Sequence, residues 1–288
     1  MTNALIVLNY NDYQNTLRLV NEVKQYVCIQ QIVIVDNCST DDSYVKLCNY
    51  FCNNESIHII KTSRNGGYAF GNNYGYKYAI DFLDADFLTF ANPDISFEEN
   101  VLTRMIDVLK RKEDVACVAP LMVCDLPNQS PVAWRLPGFF DCLLDSTLIL
   151  SAWYRKRVLY TEEYFDGDKV VPVEVVSGSF FSIKSEVMKD LNGFDEDTFL
   201  YFEENILAWK TKNKGYSNYI LTDVCYKHFS SESIDASIPS RIRKLEIADK
   251  SRDIYLSKCC GASKKMLFMK NIFSCMGRML YSLIYANR

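Results

Sequence analysis

Several things are scarce in this 288-residue sequence, and each scarcity removes a class of protein. The start, Met1-Thr2-Asn3-Ala4-Leu5-Ile6-Val7-Leu8, has no basic leader, and its apolar run is too short for an export signal. No pair among the eleven cysteines has the C-x2-C spacing of a zinc site, and the count is odd. Disulfide frameworks belong mostly to short secreted chains, so reduced thiols in a cytoplasmic protein are expected, many acting as small buried apolar groups. There is no Gly-Lys-Ser/Thr phosphate loop and no G-x-G-x-x-G. A net charge of −4 gives no reason to expect nucleic acid as a partner. No internal repeat or low-complexity linker divides the chain.

What is present is ordinary globular composition, 49% apolar and 24% charged, with enough length to bury a core. Short apolar runs alternate with helical periodicity over the first 120 residues. Ala4–Leu8, Gln31–Asp36, Ile57–Lys61, Phe87–Ala91 and Val115–Ala119 read as buried strands, and 13–27, 43–52, 68–84 and 97–112 as helices. This alternation predicts an α/β fold with a doubly wound, mostly parallel sheet and flanking helices. Ligands of such sheets bind beyond the strands' carboxyl ends, where Asn9, Asp36, Arg64 and Asp94 fall. Residues 121–170, with aromatics and Pro120, Pro127, Pro131 and Pro137 in or beside them, read as an excursion. Extended structure is expected over 170–183, a helix over 203–214, a strand over 216–223, and two closing helices over 240–258 and 263–286.

Four local patterns carry chemistry. Asp36-Asn37-Cys38-Ser39-Thr40-Asp41 follows a buried strand, where a carboxylate either receives a base or ribose or caps the next helix. Arg64 to Gly75 (RNGGYAFGNNYG) is glycine-rich at a helix start, where backbone amides bind phosphate. Asn92-Pro93-Asp94 puts a hard oxygen ligand at a strand end, or forms a plain turn. Gly193-Phe194-Asp195-Glu196 precedes Tyr201-Phe202-Glu203-Glu204, whose carboxylates open a helix, and His228 stands further on.

In this order the motifs resemble those of the family 2 glycosyltransferases, of GT-A fold, and in particular their rhamnosyltransferase-like branch. The resemblance rests on Asn9-Tyr10-Asn11, Val35–Asp41, Asn65–Gly75, Asn92–Asp94, Val176–Phe181, Gly193–Leu207, Lys214–Tyr216 and His228, and covers residues 4 to about 233. It implies an inverting transfer of a hexosyl or rhamnosyl group from a nucleotide-sugar donor to a saccharide or lipid-linked saccharide, in cell-surface polysaccharide synthesis. It implies nucleotide contacts from Asn9, Asp36, Arg64, Asn65 and Asn73, and sugar contacts from Ser177, Gly178 and Glu203. Asp94 with His228 would hold Mg2+ or Mn2+, and Glu204 would be the catalytic base. A catalytic domain over 1–235 and a helical segment over 236–288 follow. Three positions depart from the family pattern: Asn92 stands at the first place of an Asp-x-Asp, Glu204 where many relatives have Asp, and Ile206 where an acid is frequent.

Two alternatives accompany this reading. Asn92 and Ile206 permit a binding relative that has lost its chemistry. A sugar nucleotidyltransferase shares the architecture but begins with a glycine-rich loop and a basic residue, neither of which Asn9-Tyr10-Asn11-Asp12 offers.

The end of the chain differs in charge. Residues 241–288 hold 11 Lys/Arg and 3 Asp/Glu, a net of +8, leaving −12 in the rest. Asn271, Ser274, Arg278 and Ser282 make a polar stripe on an otherwise apolar helix. Lys270 and Arg278 interrupt any spanning segment. The expectation is an amphipathic helix in the membrane interface, at the inner face of the cell membrane, with packing on the catalytic domain or a partner as the alternative.

Overall fold

A computed structural model describes residues 1–123, 131–148, 150–229 and 240–285, with side chains to residue 279. The elements run β1 (Asn3–Asn9), α1 (Tyr13–Val23), β2 (Gln31–Asp36), α2 (Ser43–Phe51), β3 (Ile57–Lys61), α3 (Tyr68–Leu83), β4 (Phe87–Ala91), β5 (Ile95–Ser96), α4 (Glu99–Arg111) and β6 (Val115–Val123). Then come β7 (Ala133–Trp134), α5 (Phe139–Ser146), α6 (Ser151–Val158), a 3-10 turn (Glu162–Phe165), β8 (Val170–Val173), β9 (Val175–Val176), β10 (Phe180–Lys184) and α7 (Ser185–Asp190). The last four are α8 (Glu203–Asn213), β11 (Ser217–His228), α9 (Arg241–Cys259) and α10 (Lys264–Tyr285).

The main sheet has the order β3-β2-β1-β4-β10-β6-β11-β5, with β8 beside β11. Strands β3, β2, β1 and β4 are parallel, and so are β6 and β11. Strand β10 lies antiparallel between β4 and β6. It inserts there because the chain returns from the excursion in the opposite direction, so the sheet stays mostly parallel only in its first half. The order reverses at β1, between β2 and β4, which opens a crevice at the carboxyl ends of these strands.

Two-sided burial explains the unbroken apolar runs. In β1, Ala4 and Ile6 face one hydrophobic layer with Ala69, Tyr76 and Ile80 of α3. Leu5 and Val7 face the other, with Leu19 and Val20 of α1 and Leu102 and Met105 of α4. Each such side chain contributes about 1.5–3 kcal/mol on full burial. Helix α3 comes close to the sheet because Gly75 has no Cβ; one would stand 2.7 Å from methyl carbons of both Ile6 and Val35.

The excursion expected over 121–170 contains α5 and α6. With α8, α9 and α10, α5 encloses a third cluster built on Phe139, Cys142, Ile206, Tyr255 and Leu256. Ile206, where an acid is frequent in the resembling family, is thus a core residue. The expected boundary at 235 lies outside the described residues. Ten cysteines are described, all free thiols. Burial pushes Cys117 and Cys142 well up, so both are uncharged packing groups.

Candidate active site

The carboxyl ends of β1 and β2 form a hydrogen-bonded turn system. Asp36 is fully buried; its Oδ1 accepts from the Ser39 amide at 3.0 Å and its Oδ2 from Asn9 Nδ2 at 3.0 Å. Asn9 Oδ1 accepts from Thr16 Oγ1 at 2.9 Å. Asn65 Oδ1 receives Asn37 Nδ2 and the Gly67 amide, both at 3.1 Å, and folds the glycine loop back on the second strand's turn. Arg64 is exposed, its guanidinium 4.8 Å from the centre of the Phe70 ring. Asn73 turns the other way. Its Oδ1 accepts from the Phe194 amide at 2.9 Å, and its Nδ2 donates to Phe194 O at 3.1 Å and Glu196 Oε1 at 2.7 Å. The polar atoms of Asn73 are committed to the Gly193–Glu196 turn, so a direct nucleotide contact from it is replaced by a clamp between α3 and that turn.

Gly67 links the two halves of the site. Its φ is +89°, and a Cβ there would lie 1.9 Å from Phe199 O. That carbonyl accepts from the Tyr68 amide at 3.0 Å. The loop before α3 therefore sits directly on the segment that delivers Glu203 and Glu204. Tyr201 and Phe202 both hold positive φ, 70° and 66°, immediately before α8. Non-glycine residues hold such angles only when the surroundings impose them, and they cluster at functional sites.

A cleft of about 610 Å³ opens here. It brings Ser177, Gly178, Glu203, Glu204 and His228 together with Asn92, Tyr68, Trp134, Tyr154, Arg155 and Arg252. Asn9, Asp36, Arg64, Asn65, Asn73 and Asp94 are not among its lining residues. Glu204 Oε1 accepts from the Gly178 amide at 3.3 Å, and the Tyr68 hydroxyl donates to Gly178 O at 2.6 Å. A side chain at 178 would press on Glu204, since a Cβ would stand 2.9 Å from its Oε1. Trp134 and Tyr154 come from the excursion and Arg252 from the basic end of the chain; neither segment had a motif to mark them.

The two carboxylates differ. Glu203 is 3% exposed, and its Oε2 has no hydrogen-bond partner. Burial, then the charge of Glu204, pushes it well above the ordinary carboxylate range. Glu204 is half-buried and also raised by burial, but its own amide and that of Gly178 favour the charged form. Of the two, Glu203 is pushed up the more and is the readier to hold a proton. Burial and the same carboxylates keep the Tyr68 hydroxyl protonated.

Asp94 and His228 meet at the end of the crevice, with His228 Nε2 3.2 Å from Asp94 Oδ1. Strand β5 pairs with β11 there, Ile95 opposite His228, and the Phe229 amide donates to Asp94 O at 2.9 Å. No group of three or more metal-ligating side chains occurs among the described residues. Two protein ligands suit Mg2+ or Mn2+ on a diphosphate, because these cations take their other positions from phosphate oxygens and water. The donor set fits such an ion, with Asp94 as the hard ligand.

Comparison with solved structures shows the same architecture. GalNAc-T7, crystallised with UDP, GalNAc and Mn2+, aligns over 100% of this chain and 57% of its own, with a TM-score of 0.65 and 14% identity. The mannosyltransferase PcManGT from Pyrobaculum calidifontis, in complex with GDP-Man and Mn2+, aligns over 99% of this chain and 70% of its own, with a TM-score of 0.60 and 15% identity. In sequence, the low-salt glycan biosynthesis hexosyltransferase Agl10 of Haloferax volcanii is 22% identical over 214 residues, 73% of this chain. This chain spans 62% of that relative's length. Residues 4–188 match the model of glycosyl transferase family 2, and the chain belongs to that family.

Proposed function

We propose that this chain is an inverting glycosyltransferase. It moves a hexosyl or rhamnosyl group from a nucleotide-activated donor to a hydroxyl of a saccharide or lipid-linked saccharide, in the synthesis of a cell-surface polysaccharide. The observation that carries the reading is the Glu203–Glu204 pair at the mouth of α8, both lining a cleft of about 610 Å³ with Glu204 held by the Gly178 amide. Glycosyl transfer by single displacement needs one base within reach of the acceptor hydroxyl. Glu204, held by the Gly178 amide, is that base; it accepts the hydroxyl proton as the oxygen attacks the anomeric carbon from the face opposite the leaving diphosphate. Glu203, Ser177 and Gly178 line the same cleft and are assigned to the sugar.

The donor's nucleotide is assigned to the crevice beyond β1, β2 and β3. Arg64 and Asn65 stand at its rim and Asp36 lies buried beneath it, while Asn9 and Asn73 fix the neighbouring turns. Asp94 and His228 would hold Mg2+ or Mn2+, which supplies positive charge for the leaving diphosphate. The nucleotides and Mn2+ in the two structural relatives and the hexosyltransferase in Haloferax volcanii support this assignment. Residues 1–235 carry the transferase domain, and a lipid-linked acceptor would place the reaction at the cytoplasmic face of the cell membrane.

The test is transfer to a saccharide acceptor from a panel of nucleotide sugars with Mn2+, with product anomeric configuration read by proton NMR. Inversion relative to the donor is expected. Retention would overturn the single-base mechanism.

A further inference from the structure

Helix α10 is built inside out. Among its described polar residues, Lys270 and Ser274 turn inward and are buried, and Arg278 is half-buried. Lys270 is 0% exposed and pairs with Asp253 at 2.8 Å and Asp249 at 3.6 Å. Ser274 Oγ donates to Asp249 Oδ1 at 3.0 Å, Arg278 pairs with the same carboxylate, and Asn271 Nδ2 donates to Asp253 at 3.1 Å. Gly277 lies against the carbonyls of Ser146 and Thr147; a Cβ there would be 2.8 Å and 2.7 Å from them. The charges that interrupt the apolar segment, Lys270 and Arg278, fasten it to α9, and Gly277 lets it close on the end of α5.

The opposite face is apolar and open. Phe268, Ile272, Met276 and Met279 are spaced 4, 4 and 3 apart and so share one side of the helix; Phe268 is 69% and Met279 63% exposed. Met269 and Phe273 widen the strip. It runs about 17 Å at 1.5 Å per residue. Such a continuous exposed strip marks an interaction surface.

Charge selects the occupant. Residues 264–288 contain no Asp or Glu. Lys264 and Lys265 open the helix, exposed and outside the ion pairs that hold Lys270 and Arg278. Apolar side chains on one face, basic residues at its end and no acid suit the surface of an anionic bilayer. The helix does not fit as a span: no described helix is long and apolar enough to cross a membrane. We infer that the Phe268–Met279 face of α10 seats the protein on an anionic lipid surface, lying in the interface while its polar side stays bonded to the transferase. Asp249, which holds α10, also pairs with Arg252, and Arg252 lines the cleft. Lipid docking through α10 therefore sets the cleft at a fixed height above the bilayer. The inference deepens the membrane placement proposed for the reaction, and its test involves no sugar transfer.

The test is flotation of the full chain with vesicles of phosphatidylcholine alone or containing 30% phosphatidylglycerol, about the anionic fraction of a typical charged membrane. Floating with the anionic vesicles is expected, with loss on combined Phe268→Gln, Ile272→Gln, Met276→Gln and Met279→Gln. These side chains are exposed, so an unchanged melting temperature confirms that the variant folds. Lys264→Gln with Lys265→Gln should weaken anionic binding roughly 30-fold, from about fivefold per lysine. No flotation with either vesicle overturns the inference. So does a full chain that sediments as a dimer, fails to float, and becomes monomeric in the four-residue variant; the face would then join two copies.

Discussion

Replacing each member of the carboxylate pair by its amide separates a base from a buried acid. Glu204→Gln keeps shape and can no longer take a proton, so turnover should fall roughly 10²–10⁴-fold at saturating donor and acceptor. Donor affinity should hardly change, because the base acts on the acceptor. Glu203→Gln keeps shape and leaves Glu204 in place as the base, so turnover should stay near that of the parent. The stability effect has a definite sign. Burial raises the folded-state pKa of Glu203 above its unfolded value, near 4.5. Below that value both states bind the proton, and Glu203 costs nothing through ionisation. As pH rises past it, the unfolded state loses its proton first, and stability falls by up to about 1.4 kcal/mol per pH unit until the folded pKa is reached. Glu203→Gln removes this slope, so the variant should gain on the parent as pH is raised above about 4.5. The assays are initial transfer rates for both variants and urea denaturation across pH. If Glu203→Gln loses turnover and Glu204→Gln keeps it, the roles are reversed. If Glu203→Gln leaves the pH dependence of stability unchanged, Glu203 is not the acid that burial raises.

Other changes test the frame around this pair. Asp94→Ala should abolish the Mn2+ dependence of nucleoside diphosphate binding while leaving the melting temperature nearly unchanged; calorimetry with and without the ion decides it, and unchanged dependence would refute the assignment. Asp36→Ala leaves the Ser39 amide and Asn9 Nδ2 without their buried acceptor, so it should cost about 1–3 kcal/mol of stability and weaken binding of the free nucleotide. Equal nucleotide affinity would remove Asp36 from that role. Gly67→Ala should destabilise by about 3 kcal/mol or more, since positive φ and the Phe199 carbonyl both oppose a methyl group. An unaltered denaturation midpoint would show that this loop is not packed as described. Asp249→Ala strips Arg252, Lys270 and Arg278 of a shared, mostly buried partner and should cost about 3–5 kcal/mol locally. The expected readout is early proteolysis within α10; resistance equal to the parent would contradict the anchoring.

Strands β1, β2 and β4 were legible because they are buried on both faces, and the edge strand β3 because its run is apolar up to Lys61. The motif residues sit at the ends of these runs. Turn and helix-start residues made Asp36, Asp94 and Glu204 stand out before any coordinates. Three things were decided only by tertiary structure. Strand β10 runs against its neighbours because of where the excursion returns, and no local pattern records strand direction. The Asn73 side chain points to Phe194, 121 residues away, although its motif places it among nucleotide contacts; a hydrogen bond over that separation leaves no periodic trace. The polarity of α10 was plain in the sequence, but which side faces the protein depended on Asp249 and Asp253 of another helix. A helical period divides two faces without saying which one is buried, and here two half-buried carboxylates of α9 drew Lys270 and Arg278 inward and left the apolar side chains outside.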